Sequence, residues 1–304
     1  MHRVFAIFNP AARGEKSQRL QQFLESKAVG DSALTLARTR GPGDARSLAM
    51  QAVADGHELV IAAGGDGTIN EVVNGIGRSG VALGVVPLGT VNVFARELGI
   101  PLNLDGAWAV IERGRTRLID LPLARFGGAE RYFVQLAGVG LDAAAVRAAS
   151  WGLKKRIGPL SYVWAGLKIM SRKHAGVEVG FDNVRQLADA CGGAVLIGNG
   201  RFYGGPFELF PEAKLDDGRL DICVFENAGY LDVLRYAQAA LRGAHTRLRD
   251  VQYFQADQFI CRAASSDSED GAAATIPFEL DGEDVGQAPV QFLVLPRALR
   301  VVVP

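Results

Sequence analysis

Cysteine is scarce and unpaired in this chain: Cys191, Cys223 and Cys261 are three in 304 residues, far apart, without the spacing of a zinc site or a redox dithiol. All three are expected to be reduced thiols. A membrane-spanning run is missing too. The longest apolar stretch, residues 81–95, is broken by Gly84, Pro87, Gly89 and Asn92 and falls short of the ~20 residues a span requires. Net charge is absent, since 33 basic and 33 acidic residues cancel. No global field therefore draws the chain to nucleic acid, and attraction to an anionic surface must come from a local patch. The start, Met1-His2-Arg3-Val4-Phe5, lacks the length and cleavage site of a secretory signal, so a cytoplasmic location is expected.

What is present is ample material for a core: 48% hydrophobic and 22% charged residues, over a length that suits two domains. Up to about residue 120, short apolar runs at 4–8, 34–37, 59–63 and 81–86 each end in a polar, glycine-bearing punctuation before a helical pattern. That alternation predicts a parallel sheet with crossover helices. Beyond residue 121, alternating strands at 132–136, 177–181, 194–197, 220–225 and 291–295 predict an antiparallel arrangement, with helical patterns near 141–150, 158–173 and 230–242 and a polar loop at 265–271. The expected fold class is α/β, with an N-terminal doubly wound parallel-sheet domain over 1–125 and a C-terminal β-rich, antiparallel sandwich-like domain over 126–304. No internal repeat is visible.

In such sheets ligands bind outside the carboxyl ends of the strands, so the four punctuations should converge. The sharpest is Gly64-Gly65-Asp66-Gly67-Thr68-Ile69-Asn70-Glu71. Glycines admit a phosphate close to the backbone, and the following helix offers unpaired N–H groups and a positive dipole end. Asp66 suits that setting if Mg²⁺ intervenes or if it bonds a hydroxyl. The plain alternative is an ordinary glycine-rich strand-to-helix turn. No Gly-x-x-x-x-Gly-Lys-Ser/Thr occurs, and Asn70 stands where the dinucleotide fingerprint has its last glycine.

With Asn9-Pro10 and Gly14 upstream, and Pro87-Leu88-Gly89-Thr90-Val91-Asn92, Gly204-Gly205, residues 214–221 and Asp281-Gly282-Glu283 downstream, this loop resembles the diacylglycerol kinase catalytic-domain family, which includes sphingosine and ceramide kinases. The resemblance spans almost the whole chain. It implies an ATP-dependent lipid kinase in which Asn9, Thr39, residues 65–71 (Gly65, Asp66, Gly67, Thr68, Ile69, Asn70, Glu71) and Thr90 contact ATP. Thr90, read as standing at a helix start, is equally suited to capping it. Arg13 and Arg19 would add charge toward phosphates, against the plainer reading of solvated helix arginines.

Phosphoryl transfer to an alcohol needs Mg²⁺ and a carboxylate that takes the hydroxyl proton. Alone, Asp281-Gly282 reads as a hairpin turn. The resemblance implies Glu283 as base and Asp281 as its partner, with the two roles left exchangeable. It also implies a structural Mg²⁺ at Asp217, with Lys214 and Arg219 supplying carbonyls; a turn of solvated acids is the plain reading. Many similar bacterial proteins carry an aspartate where this chain has Val93, a departure that bears on the metal network around Asp120 and Asp217.

Between Arg147 and Lys173 seven basic residues and no acid are interleaved with Trp151 and Trp164. This segment suits either peripheral contact with the inner face of the membrane or a solvated basic helix. The loop 198–205 is placed by resemblance near the acceptor headgroup. Diacylglycerol, sphingoid bases and phosphatidylglycerol stay open as acceptors. The alternatives are an NAD kinase-like small-molecule kinase and a catalytically silent lipid- or nucleotide-binding regulator.

Overall fold

The computed structural model describes residues 3–10, 15–30, 33–140, 143, 176–181, 190–264 and 276–304. Arg13, Gly14, the basic segment 147–173, the polar loop 265–271 and the helical patterns at 141–150 (apart from residue 143) and 158–173 lie outside the described residues. The chain forms two compact units, 1–121 with 296–304, and 122–295.

In the first unit β1 (Val4–Phe8), α1 (Glu15–Gly30), β2 (Leu34–Arg38), α2 (Asp44–Ala54), β3 (Leu59–Gly64), α3 (Asp66–Ile76) and β4 (Ala82–Pro87) alternate, followed by the short α4 (Val93–Glu97) and α5 (Leu104–Arg113). The strands are parallel, in the order β2-β1-β3-β4. Strand periodicity sorts β1 between two faces. Ala6 and Phe8 join Leu20 and Leu24 of α1 and Trp108 and Ile111 of α5, while Phe5 and Ile7 are buried opposite. Helices α2 and α3 pack on β1 and β3 with buried faces outside that first cluster, so the sheet is covered on both sides as expected. Each fully buried Leu or Ile here contributes ~1.5–3 kcal/mol of apolar transfer.

The second unit begins within β5 (Thr116–Phe126) and continues through β6 (Ala129–Tyr132), β7 (Leu136–Gly140), β8 (Val177–Gly180), β9 (Ala190–Gly192), β10 (Ala194–Gly198), β11 (Phe202–Tyr203), β12 (Phe207–Glu208), β13 (Leu220–Phe225), the helix α6 (Tyr230–Leu241), β14 (Val251–Ala256), β15 (Gln258–Ala263), β16 (Pro277–Leu280), β17 (Glu283–Gln287) and β18 (Val290–Val302). One antiparallel sheet runs β14-β13-β10-β7-β16-β17, and β18, β15, β8 and β9 pair antiparallel in that order. Val139, Val195, Ile222 and Phe278 of the first sheet share a core with Val179, Phe259, Cys261 and Phe292 of the second, which makes a sandwich.

Two strand expectations change. Residues 132–136 are not one strand: β6 ends at Tyr132 and β7 starts at Leu136. The backbone N–H groups of Val134, Gln135 and Leu136 donate instead to the Asp281 carboxylate, at 2.9, 3.0 and 3.1 Å. The strand expected at 291–295 extends to Val302, and its end re-enters the first unit, with Val301 opposite Leu83 of β4. Asp120 of β5, buried, accepts the Arg297 N–H there at 2.8 Å. The three cysteines are free, and burial pushes the Cys223 thiol up to about 12. Among the described residues no helix is long and apolar enough to cross a membrane.

Gly75 shows how tightly the first unit is assembled. A Cβ there would lie 2.5 Å from both the Ala49 Cβ and the Arg46 carbonyl oxygen of α2. Gly75→Ala is expected to lower stability by about 1–2 kcal/mol, because overpacking outweighs the gain in helix propensity. Urea denaturation followed by circular dichroism measures this, and an unchanged or raised midpoint contradicts the close packing.

Candidate active site

The loops that follow β1, β2, β3 and β4 leave one edge of the parallel sheet, because all four strands run in the same direction. The strand order turns between β1 and β3, and ligands of open α/β sheets bind at such a switch point. Asn9 follows β1 and Thr68 lies in the first turn of α3, beyond β3; the Asn9 amide donates to the Thr68 hydroxyl at 3.4 Å. Between β3 and β4 the two glycine-bearing turns touch backbone to backbone. A Cβ on Gly89 would stand 2.8 Å from the Gly65 Cα, closer than real side chains come. The Leu88 N–H donates to the Gly64 carbonyl at 2.9 Å, extending the β3–β4 pairing into the turns.

Gly65 is the N-cap of α3 and has no side chain to cap it, which leaves the first-turn N–H groups for an outside acceptor. The Asp66 carboxylate is engaged locally. It accepts the Phe94 N–H at 3.3 Å, at the start of α4. Burial pushes the Asp66 carboxyl up, and backbone N–H groups of Val93, Phe94 and Asn92 offset part of that rise. Asp66 thus ties the two glycine turns together, a role not visible from its own loop. The helix start expected at Thr90 falls later, at Val93. Asn92 adopts a left-handed conformation (φ 53°) and its amide donates to the Gly89 carbonyl at 2.8 Å, leaving Thr90 exposed ahead of the helix.

The rest of the glycine loop divides its work. Ile69 is wholly buried on the core face of α3, and Asn70, also buried, accepts from the Asn74 amide at 3.1 Å. Glu71 accepts the Gly43 and Ala45 N–H groups at 2.9 and 3.1 Å, and so secures the N-terminal end of α2 beside buried Thr39. Arg19 is exposed on α1. Asn9, Thr39, Gly65, Gly67, Thr68 and Thr90 therefore stand along the carboxyl edge of one sheet, while Ile69, Asn70 and Glu71 support it from behind.

In the second unit Asp281 and Gly282 form the two-residue turn between β16 and β17, with φ of 48° and 83°, the left-handed pair that a tight hairpin requires. Asp281 accepts the N–H groups of Val134, Gln135 and Leu136, where the chain passes from β6 to β7, and its own N–H donates to the Leu136 carbonyl at 2.9 Å. A carboxylate held by three donors is a fixed anion. Glu283, first residue of β17, pairs with Arg131 of β6. Its carboxylate is 41% exposed and so remains reachable from solvent. Buried Glu279 accepts the Gly282 N–H at 2.6 Å, fixing the turn from below. The 198–205 loop reaches the same place: the buried Asn199 amide donates to the Val134 carbonyl at 2.9 Å. Arg131 and Glu279 carry no signal in sequence, since each is a single charge in an ordinary strand pattern.

Asp217 lies in an exposed turn where its carboxylate accepts the Arg219 N–H at 3.1 Å. Among the described residues no three His, Cys, Asp or Glu side chains gather into a metal cage. A cation at this turn would rest on one carboxylate, carbonyls and water, which suits Mg²⁺. The surroundings fit a cation. Asp221 is fully buried, its Oδ2 has no hydrogen-bond partner, and burial pushes its carboxyl up, with Asp217 and Glu212 adding like-charge repulsion.

Comparison with known proteins extends over the whole chain. Residues 3–124 match the diacylglycerol kinase catalytic domain, and residues 135–303 match the YegS C-terminal NAD kinase beta sandwich-like domain. A diacylglycerol kinase of Bacillus subtilis (strain 168) is 33% identical over 311 residues, covering 100% of this chain and 97% of that one. One from Staphylococcus epidermidis (strain RP62A) is 32% identical over 307 residues, covering 99% and 92%. A crystal structure from Bacillus anthracis str. Sterne superposes with a TM-score of 0.79 at 25% identity, covering 100% of this chain and 95% of that one. Yeast NADH kinase shares the fold alone, with a TM-score of 0.54 at 8% identity over 100% of this chain and 84% of that one. With the two domain matches and relatives 32–33% identical over almost the full length, the chain belongs to the diacylglycerol kinase catalytic-domain family.

Proposed function

We propose that the protein transfers the γ-phosphoryl group of ATP to a hydroxyl of a diacylglycerol-like lipid. The observation that carries this reading is the contact of the Gly65 and Gly89 turns at the switch point of the parallel sheet, beside the uncapped start of α3. A triphosphate is the ligand such an edge suits, and Asn9, Thr39, Gly65, Asp66, Gly67, Thr68, Ile69, Asn70, Glu71 and Thr90 are its assigned neighbourhood, with Asp66 and Glu71 acting through the backbone they hold.

In the transfer, the acceptor oxygen forms a new P–O bond as the bond from the γ-phosphorus to the β–γ bridging oxygen breaks, and ADP departs. Glu283 takes the hydroxyl proton. Its carboxylate is paired with Arg131, which fixes its position, and its exposure supports access by an acceptor. Asp281 positions rather than reacts, because its oxygens already accept three N–H groups. Asp217, with carbonyls of Lys214 and Arg219, would hold a structural Mg²⁺ whose charge offsets the repulsion among Asp217, Glu212 and Asp221. Diacylglycerol is preferred over sphingoid or phosphatidylglycerol acceptors on the names of the relatives alone.

The direct test supplies radiolabelled ATP, Mg²⁺ and mixed micelles of diacylglycerol, a sphingoid base or phosphatidylglycerol. Label is expected in phosphatidic acid; its absence from every lipid overturns the reading. Glu283→Gln should lower kcat by about 10²–10³-fold with an unchanged melting temperature. Asp281→Asn should lower both, since an amide turns donors toward N–H groups, at a cost of about 2–3 kcal/mol. Equal melting losses in the two variants would remove the division of roles.

Gly89→Ala should weaken ATP binding by about tenfold, ~1.4 kcal/mol, by prising the two turns apart. Calorimetric titration with a non-hydrolysable ATP analogue reads this, and wild-type affinity in the variant would count against the edge as nucleotide site. Mg²⁺ should raise the melting temperature of the wild type in the absence of nucleotide but not that of Asp217→Asn; an equal rise in both rules out the Asp217 turn.

A further inference from the structure

Helix α6 presents an apolar stripe outward. At about 100° per residue, Leu231, Leu234, Arg235, Gln238, Leu241 and Arg242 fall within roughly one third of its circumference. All six are exposed, with Leu231 at 78% and Leu241 at 65%. The opposite side is held down by Tyr236, which packs on Phe225 and donates its hydroxyl to Asp250 at 2.7 Å. Next to the helix lies β12, whose Phe207 is also exposed. Large side chains left in water on one face of an otherwise well-seated helix mark an interaction surface.

The charge on and just after the helix is mainly positive. Residues 230–249 contain four arginines and a single acid, Asp232. Arg235 is tied to Asp232 and Asp250. Arg242, Arg247 and Arg249 are exposed. A second copy docked antiparallel through a two-fold axis at the middle of the stripe would set each Arg242 against the apolar opposite end near Leu231, with no carboxylate among the six stripe residues to receive it. An anionic bilayer meets both demands, taking leucines into the acyl boundary and arginines at the phosphates.

We propose that the outer face of α6, with Phe207 beside it, docks the protein on anionic lipid surfaces; this rests on the lipid kinase reading and names the surface by which the second unit meets its substrate's bilayer. The helix, of 12 residues and about 18 Å, lies along the headgroup boundary rather than across it.

The experiment is co-sedimentation of the full chain with vesicles of phosphatidylcholine alone or mixed with phosphatidylglycerol, without ATP. The wild type should pellet with the mixed vesicles. Leu231→Asp with Leu241→Asp, and separately Arg242→Glu with Arg247→Glu, should each weaken that binding by at least about tenfold. Circular dichroism verifies that these surface variants fold. Phosphorylation of a short-chain diacylglycerol in solution should be unchanged in both, while phosphorylation of diacylglycerol in vesicles falls. Wild-type vesicle binding by the variants overturns the proposal, as does a leucine variant whose sole change, by light scattering, is dissociation of a dimer. If the wild type phosphorylates no lipid, the kinase reading fails on its own, whatever the vesicles show.

Discussion

Two backbone turns approach at Gly65 and Gly89 so closely that a side chain at Gly89 would collide with the Gly65 backbone and one at Gly65 would be tight, and the carboxyl edge of the parallel sheet is organised around that contact. With the turns in touch, Asp66 reaches the N–H groups at the start of α4, and Asn92 is bent into a left-handed conformation that keeps its amide on the Gly89 carbonyl. Glu71 extends the same logic to α2, whose first N–H groups it accepts. The acids of this loop serve as internal caps. The first turn of α3, where Gly65 provides no side chain, is left without a side-chain cap.

The β unit is organised around a fixed anion. Asp281 gathers the N–H groups of Val134, Gln135 and Leu136, and so turns a strand into the break that separates β6 from β7. Asn199 holds that break from the other side. Buried donors and acceptors need partners at a cost of several kcal/mol if unmet, so the hairpin, the break and the 198–205 loop form one assembly. Glu283 stands at its margin, paired with Arg131 and partly in solvent.

The parallel half was legible because its code is local. A short apolar run such as 4–8 or 34–37 followed by a glycine-bearing turn has one common solution, a strand leading into a helix, though α3 begins at Asp66, inside the turn rather than after it. The second half was legible only in outline. A five-residue apolar pattern at 132–136 looks like a strand, yet three of its N–H groups answer to a carboxylate about 145 positions away. Thr90 looked like a helix start because the left-handed turn at Asn92 has no signature in composition.

The sequence by itself determined the two-part architecture, the four turns that end the parallel strands, and the family, since each is written in short-range spacing or in an ordered set of motifs. Only the tertiary structure decided what the acids do. A carboxylate in a turn is equally suited to metal, phosphate-linked water, a proton or a neighbouring backbone. Asp66, Glu71 and Asp281 were assigned to backbone by contacts with residues distant in the chain, and Glu283 to an arginine that no spacing relates to it. The same holds for the leucines of α6: periodicity marks a face, and packing decides that this one looks outward.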